Sequence, residues 1–377
     1  MFPPPHTGPS PSTADSAVRS TDSDALVSRV AAHSLHYLDD PLSLLFLSPQ
    51  QRRNPDRRPP LINIGTHARC WAVDDLVEQF LREGRAGSGG GAGQPTGQAG
   101  GVQVLSLGAG TDTRFWRLRK RWQQWRDKGD EVGEWPCRRW VEVDFPEATG
   151  AKARTVSSKA DLRKELGEDV KIELGGLGLT SPLYALLPGD LRSLAPLFSL
   201  LLSPPPFSPS SPLILDPSLP TLLLVECVLV YLEPGVTDAL LSWFCGTFGG
   251  AGDGTGGMGS AIVSYDPFAL EDSFGAVMKR NLAARNLSLP GASSTPSLSS
   301  LTSRLRQAGV KGDCGALSVK EIRESVVPTG ERERVARIEQ IDEVEELNLI
   351  LKHYAVSWGN LREGARGIGL GTQGEVE

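Results

Sequence analysis

Four short polar clusters, each directly after an apolar run, are the residues in this chain whose types and spacing could do chemistry. The first is Leu107-Gly108-Ala109-Gly110-Thr111-Asp112-Thr113-Arg114, a G-x-G turn between the apolar run Val102–Leu107 and a polar helix start. Glycines in such a turn let the backbone approach a ligand closely, because no Cβ stands in the way. A dinucleotide fingerprint needs a third glycine where this chain has Thr113, and a tight turn with no ligand would look the same. The second cluster ends in Asp144, at the tip of the run 140–143, where a carboxylate can accept from both hydroxyls of a ribose. Glu142 would point to the same side of the strand and is the reserve candidate. A solvated strand-end carboxylate is the alternative. In the third, Gly189-Asp190-Leu191-Arg192, Asp190 can accept from an adenine amino group while Leu191 packs on the ring. The fourth is Glu226, directly after the apolar run 221–225. A carboxylate there is costly unless it is paired or faces a cleft. Four polar features at four consecutive strand tips favour a cofactor crevice over strand ends that simply meet solvent.

The elements that must position these clusters alternate along the chain. Strands are predicted at Val102–Leu107, 140–143, 184–187, 221–225 and 261–265. Helical patterns fall at 73–82, Pro234–Phe248, 269–284, Leu298–Ala308 and 341–351, and 353–358 could close the sheet. Such alternation means an α/β fold, with a mainly parallel sheet covered by helices on both faces. No internal repeat is present. Residues 1–20, rich in Pro, Ser and Thr, read as a disordered leader. Residues 84–101, 203–220 and 249–259 read as low-complexity insertions in a single domain over 21–370, followed by a tail at 371–377.

Composition narrows the classes. Lys and Arg number 39 against 45 Asp and Glu, a formal charge of −6, which counts against nucleic acid as the main partner. The one dense basic stretch, 114–128, is interleaved with Trp116, Trp122 and Trp125. Such mixing can bind single strands, but a solvated amphipathic helix is preferred. Five cysteines, far apart and without a C-x-x-C pair, imply neither a disulfide framework nor a metal site, and so a reducing, cytoplasmic setting. The chain start lacks a signal-type apolar core. No stretch approaches the roughly 20 apolar residues of a membrane helix, so no membrane partner is expected. Nothing suggests more than a monomer.

The ordered set LGAGTDTRFWRL, VEVDFPEA, GDLRSL, PTLLLVECVLVYLEP and VARIEQIDEVEELNLILKHYAVSW resembles the leucine carboxyl methyltransferases, with a match reaching upstream to Asp40-Pro41 and residues 60–81. The resemblance covers roughly 25–370, and ECVLVY is its most distinctive piece. It implies a Rossmann-like methyltransferase fold with an N-terminal helical lid. It also implies S-adenosylmethionine as cofactor, and as acceptor the C-terminal leucine carboxylate of the protein phosphatase 2A catalytic subunit. Carried over by position, Gly108 and Gly110 would line the methionine end, Asp144 hold the ribose, and Asp190 and Leu191 frame the adenine. Glu226 would sit near the methionine portion. Arg69 would stand beside the cofactor carboxylate and the acceptor, Arg29 where the family commonly has lysine, and Tyr231 would face the reacting groups. The family's R-G-Y-F/Y-A-R stretch appears here as Ile64-Gly65-Thr66-His67-Ala68-Arg69, without its first arginine and both aromatics.

A terminal carboxylate, with a reference pKa of about 3.3–3.7, is ionised at neutral pH and needs no general base. The lack of a Ser/His/Asp or Cys/His constellation is therefore expected, and none of the five histidines, His67 included, is placed for catalysis. Alternative readings are a methyltransferase acting on a modified tRNA base side chain, a small-molecule O-methyltransferase, and a non-catalytic scaffold. Missing propeller repeats and the acidic charge count against the first, and the polar strand tips against the last. A dehydrogenase lacks its third glycine.

Overall fold

Side chains along the central strands divide between two faces. Val104, Leu186, Leu222 and Leu224 pack into one apolar layer, while Leu105, Val143, Leu187, Leu223 and Val225 pack into the other. That is the period-2 alternation of a strand, here apolar on both sides, as a sheet buried on both faces requires. The computed structural model describes residues 11–86, 101–130, 132–205, 213–251 and 257–371.

Nine strands form one sheet in the order β3-β4-β5-β2-β1-β6-β7-β9-β8. They are β1 Val102–Leu107, β2 Cys137–Asp144, β3 Lys171–Glu173, β4 Gly178–Thr180, β5 Tyr184–Pro188, β6 Thr221–Glu226, β7 Ala261–Pro267, β8 Cys314–Ser318 and β9 Tyr354–Asn360. The five central strands pair in parallel, and the two edges are antiparallel. Helices of eight or more residues are α1 Pro11–Ser34, α2 Pro60–Ala86, α3 Arg114–Asp127, α4 Pro146–Ser158, α5 Leu194–Leu201, α6 Pro234–Phe248, α7 Ser273–Ala283, α8 Leu298–Ala308, α9 Thr329–Ala336 and α10 Val344–Leu351. Residues of α2, α3, α4 and α10 pack on one face, and those of α5, α6 and α8 on the other. No helix among the described residues is long and apolar enough to cross a membrane.

The five expected strands all form, and Pro234–Phe248 and Leu298–Ala308 keep their predicted bounds. Other limits move for local reasons. The pattern at 269–284 becomes α7 only from Ser273, because the Asp272 side chain accepts from Gly275 N–H (2.9 Å) and caps the helix there. The segment 353–358 does not close the sheet: β9 lies inside it, and β8 is the edge. β8 carries the weakly patterned sequence CGALS and is half-buried for most of its length. Of the expected leader, 1–10 lie outside the described residues, whereas 11–20 begin α1. Within the expected insertions, 87–100, 206–212 and 252–256 lie outside the described residues. Gly84 belongs to α2, and Ile214 and Leu215 are fully buried beside α5. The basic stretch 114–128 is the helix α3, amphipathic as expected, with Lys120, Gln124, Arg126 and Lys128 exposed, but its first turns are not solvated. Arg114, Trp116, Arg117 and Trp122 are buried, and the two indole N–H groups donate to Leu162 O (2.9 Å) and Gly133 O (3.1 Å).

Trp116 stacks edge-on with Phe115 and tilted on Tyr184 at the centre of the larger apolar layer. Replacing it with alanine removes that packing and leaves a cavity, a loss of about 3–5 kcal/mol. Chemical denaturation of Trp116→Ala is expected to show a midpoint reduced accordingly, and an unchanged midpoint would refute this placement.

Candidate functional site

The order of the parallel strands reverses between β1 and β6, so a crevice opens at their carboxyl ends. Across the edge of the sheet the clusters stand in spatial order. Asp190 follows β5, Asp144 ends β2, Gly108 and Gly110 follow β1, Glu226 ends β6, and Tyr265 lies on the adjacent β7. All nine residues anticipated from the sequence line one cavity of about 410 Å³: Arg29, Arg69, Gly108, Gly110, Asp144, Asp190, Leu191, Glu226 and Tyr231. That size suits a small-molecule site.

The glycine turn is dictated by backbone and space together. Gly108 and Gly110 have φ of 65° and 46°, the left-handed region that L side chains rarely adopt. A Cβ on Gly108 would stand 2.4 Å from Val228 Cγ2, and one on Gly110 2.3 Å from Asp22 Oδ1. The turn is held from the next strand by Asp144, whose Oδ2 accepts from Gly110 N–H and Oδ1 from Phe145 N–H, both at 2.7 Å. Each carboxylate oxygen keeps a further lone pair for a ligand hydroxyl. Burial raises the Asp144 pKa, and the two N–H donors oppose that rise. Glu142, the reserve candidate, is excluded from the cavity: it is buried against Lys152 Nζ (2.5 Å) and Tyr184 Oη (2.6 Å). At the outer end, Asp190 is bonded by Arg192, whose guanidinium also reaches Asp15 of α1. These bonds hold the Asp190 pKa down.

Helix α1 closes the crevice from above. Asp22 Oδ1 accepts from Thr111 N–H (2.8 Å) and Oγ1–H (2.7 Å), and Arg29 Nη2 donates to Thr111 O and Oγ1, both at 2.8 Å. Beneath the cavity runs a chain of alternating charges: Arg29–Asp40 (3.7 Å), Asp40–Arg117 (3.9 Å), Arg117–Asp74 (2.5 Å), Asp74–Arg114 (2.7 Å), Arg114–Glu226 (2.5 Å) and Glu226–Arg69 (3.5 Å). Arg114 also pairs with Asp112 at 2.6 Å. Burial alone would raise the Asp74 pKa, but Arg117 and Arg114 outweigh it and hold the carboxyl well below its usual range.

Arg69 lies at the far end of this chain. Its guanidinium carbon is 5.1 Å from the centre of the Tyr265 ring, and its buried Nε has no hydrogen-bond acceptor. Burial works against the cation, yet Glu226 outweighs that and raises its pKa. Tyr231 sits on the short turn Leu229–Tyr231, and burial raises its pKa, so it is a neutral O–H donor at ordinary pH. His67 faces away from this cavity: its Nε2 is 2.7 Å from Glu331 Oε1 of α9, and burial lowers its pKa.

The sequence reading missed Arg114, Asp74, Asp112 and Asp22. One signal was available for Arg114. An arginine as first residue of α3 opposes the helix dipole, so it needs carboxylate partners. Asp74 carried no such signal, being one acidic residue in a long amphipathic helix.

A family model described as "Leucine carboxyl methyltransferase" matches residues 17–245. Among curated proteins similar to this chain, "Leucine carboxyl methyltransferase 1" of Cryptococcus neoformans is 39% identical over 97% of this chain and 99% of its own. Proteins of the same name from Aspergillus fumigatus and Bos taurus are 36% and 30% identical. They cover 92% and 95% of this chain, and 83% and 93% of their own. A solved structure from Streptomyces avermitilis aligns with TM-score 0.46 and 14% identity, over 90% of this chain and 97% of its own.

Removing one member of the buried charge chain should cost far more than removing a pair. Asp74→Ala leaves Arg117 buried with only the distant Asp40, while Arg114 keeps Glu226 and Asp112, and a loss of about 3–5 kcal/mol is expected. Asp74→Ala combined with Arg117→Met should recover part of it. Equal stability of the single variant and the wild type on chemical denaturation would contradict the network.

Proposed function

The chain belongs to the leucine carboxyl methyltransferase family, and from that premise we propose that it esterifies the C-terminal leucine α-carboxylate of the protein phosphatase 2A catalytic subunit, with S-adenosylmethionine as methyl donor. The observation that carries this reading is the spatial order of the cavity wall: Asp190, Asp144, the glycine turn, Glu226 and Tyr265 stand on or just beyond five successive strands. Four interstrand spacings of about 4.8 Å span roughly 19 Å, room for an extended nucleoside with an amino-acid arm.

The residues fit that cofactor. Asp190 and Leu191 would receive the adenine, Asp144 the ribose hydroxyls, and Gly108 and Gly110 the arm, with Glu226 and Arg29 beside it. When bound, S-adenosylmethionine supplies a methyl group on a sulfonium, open to in-line displacement. An acceptor carboxylate oxygen held by Arg69 and Tyr231 would receive that methyl, the O–C bond forming as the S–C bond breaks and the electron pair leaving on sulfur. No proton moves, so no base is needed. The Arg69 guanidinium lines the cavity and can grip the acceptor carboxylate. Glu226 and the Tyr265 ring fix that guanidinium in place. Tyr231 donates a further hydrogen bond to the same carboxylate. Helix α1, tied down through Asp22 and Arg29, excludes water, which strengthens these contacts. Positioning of this kind can supply up to about 7–11 kcal/mol of barrier reduction. A reducing compartment such as the cytosol suits the five free thiols.

Labelled methyl transferred from S-adenosylmethionine to purified phosphatase 2A core enzyme, and not to the same enzyme lacking its terminal leucine, is the expected result. Cofactor binding without transfer would move the acceptor elsewhere. Arg69→Ala should lower kcat/KM by about 10²- to 10³-fold, the scale of losing one preorganised charge contact. Tyr231→Phe should lower it by about 10- to 150-fold, one hydrogen bond to a charged group, with cofactor affinity unchanged. Full activity in Arg69→Ala would remove it from the reaction.

A further inference from the structure

One carboxylate at the cavity mouth is shared by two arginines from different elements. Asp24 of α1 lines the cavity. Its Oδ2 accepts from Arg285 Nη2, just beyond α7, at 2.5 Å, and its Oδ1 faces Arg58 Nη2, just before α2, at 3.5 Å. The segment that carries Arg285 packs beside the half-buried Tyr231 through Met278 and Leu289, which puts Arg285 and its partner Asp24 toward the Tyr231 end of the cavity rather than the Asp190 end. The side chains of Arg58, Asp24 and Arg285 are 30%, 47% and 50% exposed, unlike the sealed chain beneath the floor.

With two positive groups on one negative group, this trio carries a net charge of +1. Exposed ion pairs contribute little, about 0–1 kcal/mol each, so they are weak supports for α1 and easily exchanged for another carboxylate. Arg58 also has a buried Nε with no acceptor. A protein acceptor must thread its terminal segment past this point before its carboxylate reaches Arg69 and Tyr231.

Resting on the acceptor reading above, we propose that Arg58 and Arg285 form an acidic-peptide clamp, with Asp24 occupying it until substrate arrives. An Asp or Glu side chain upstream of the acceptor's terminal carboxylate replaces Asp24 between the two guanidiniums. The clamp sets which C-terminal tails enter, while Arg69 and Tyr231 act at the terminus itself. Contacts at a charged rim govern encounter and selection more than the chemical step, so the effect belongs in KM.

The test is steady-state methyl transfer by the full chain to two acceptors. One is purified phosphatase 2A core enzyme, and the other is the same enzyme with each Asp and Glu of its last ten residues replaced by the amide. With the intact tail, Arg58→Ala and Arg285→Ala should each raise KM about 2- to 5-fold. The double variant should raise it further, with kcat and S-adenosylmethionine affinity unchanged. With the neutralised tail the wild type should show the raised KM, and the arginine variants no additional change, a coupling that simple loss of structure would not produce. Unchanged KM in both variants, or an equal rise on both acceptors, would overturn the clamp. If the wild type labels neither acceptor, the acceptor reading itself fails and the clamp falls with it.

Discussion

The chain of buried charges from Arg29 to Arg69 is the constraint on which the rest of the site depends. Seven ionised groups lie end to end along it, with Asp112 as an eighth beside Arg114, giving four cations against four anions. A single such charge in a dry interior costs several kcal/mol, and only close pairing offsets it. The arrangement is therefore tolerable as a set and costly in fragments. Its members come from α1, α2, α3, Asp40 at the start of the short 3-10 turn Pro41–Phe46, and the tip of β6. Satisfying the charges thus brings the N-terminal helices and the sheet into one register.

That register explains how a site with few chemical groups can work. Glu226 is held by Arg114 from below, and it in turn restrains Arg69. Because Glu226 already has a strong partner, it does not fully claim the Arg69 guanidinium, whose Nε remains without an acceptor. A cation held in place but left short of hydrogen bonds suits an incoming carboxylate. The transfer itself calls for no proton acceptor, and the three tyrosines that line the cavity, Tyr231, Tyr265 and Tyr354, are pushed above their ordinary pKa by desolvation, so they stay neutral donors. The site separates into a sealed floor of fixed charge and an exposed mouth whose charges are free to exchange.

The altered stretch at 64–69 shows how the fold compensates for local change. His67 turns outward from the cavity to Glu331 of α9, and Arg334 of the same helix donates to the carbonyls of His36 and Tyr37. Gly65 and Thr66 line the cavity together with Leu61, Ile62, Ile350 and Leu351. That wall, on the helix that also carries Arg69, is largely aliphatic, and the aromatics expected from the family pattern are absent.

By itself, the sequence determined the five parallel strands, the turn at Gly108 and Gly110, and the carboxylates at three strand tips. Each is written locally: a run apolar on both faces, residues free to take positive φ, and an acid at the end of a buried strand. Helix α1 was expected only as a lid implied by the family resemblance and not from its own pattern, because Pro11–Ser34 has no strong apolar stripe and gains its place through Asp15, Asp22, Asp24 and Arg29 pairing with distant residues. Nor was the edge strand β8, short and half-buried, or the closure of Glu142 by Lys152. Only the tertiary structure decided that the basic start of α3 is a buried counter-charge rather than a wet surface. Arg114 and Arg117 find their partners on α2, β6 and Asp40, tens of residues or more away in the chain, where local patterning carries no record of the pairing.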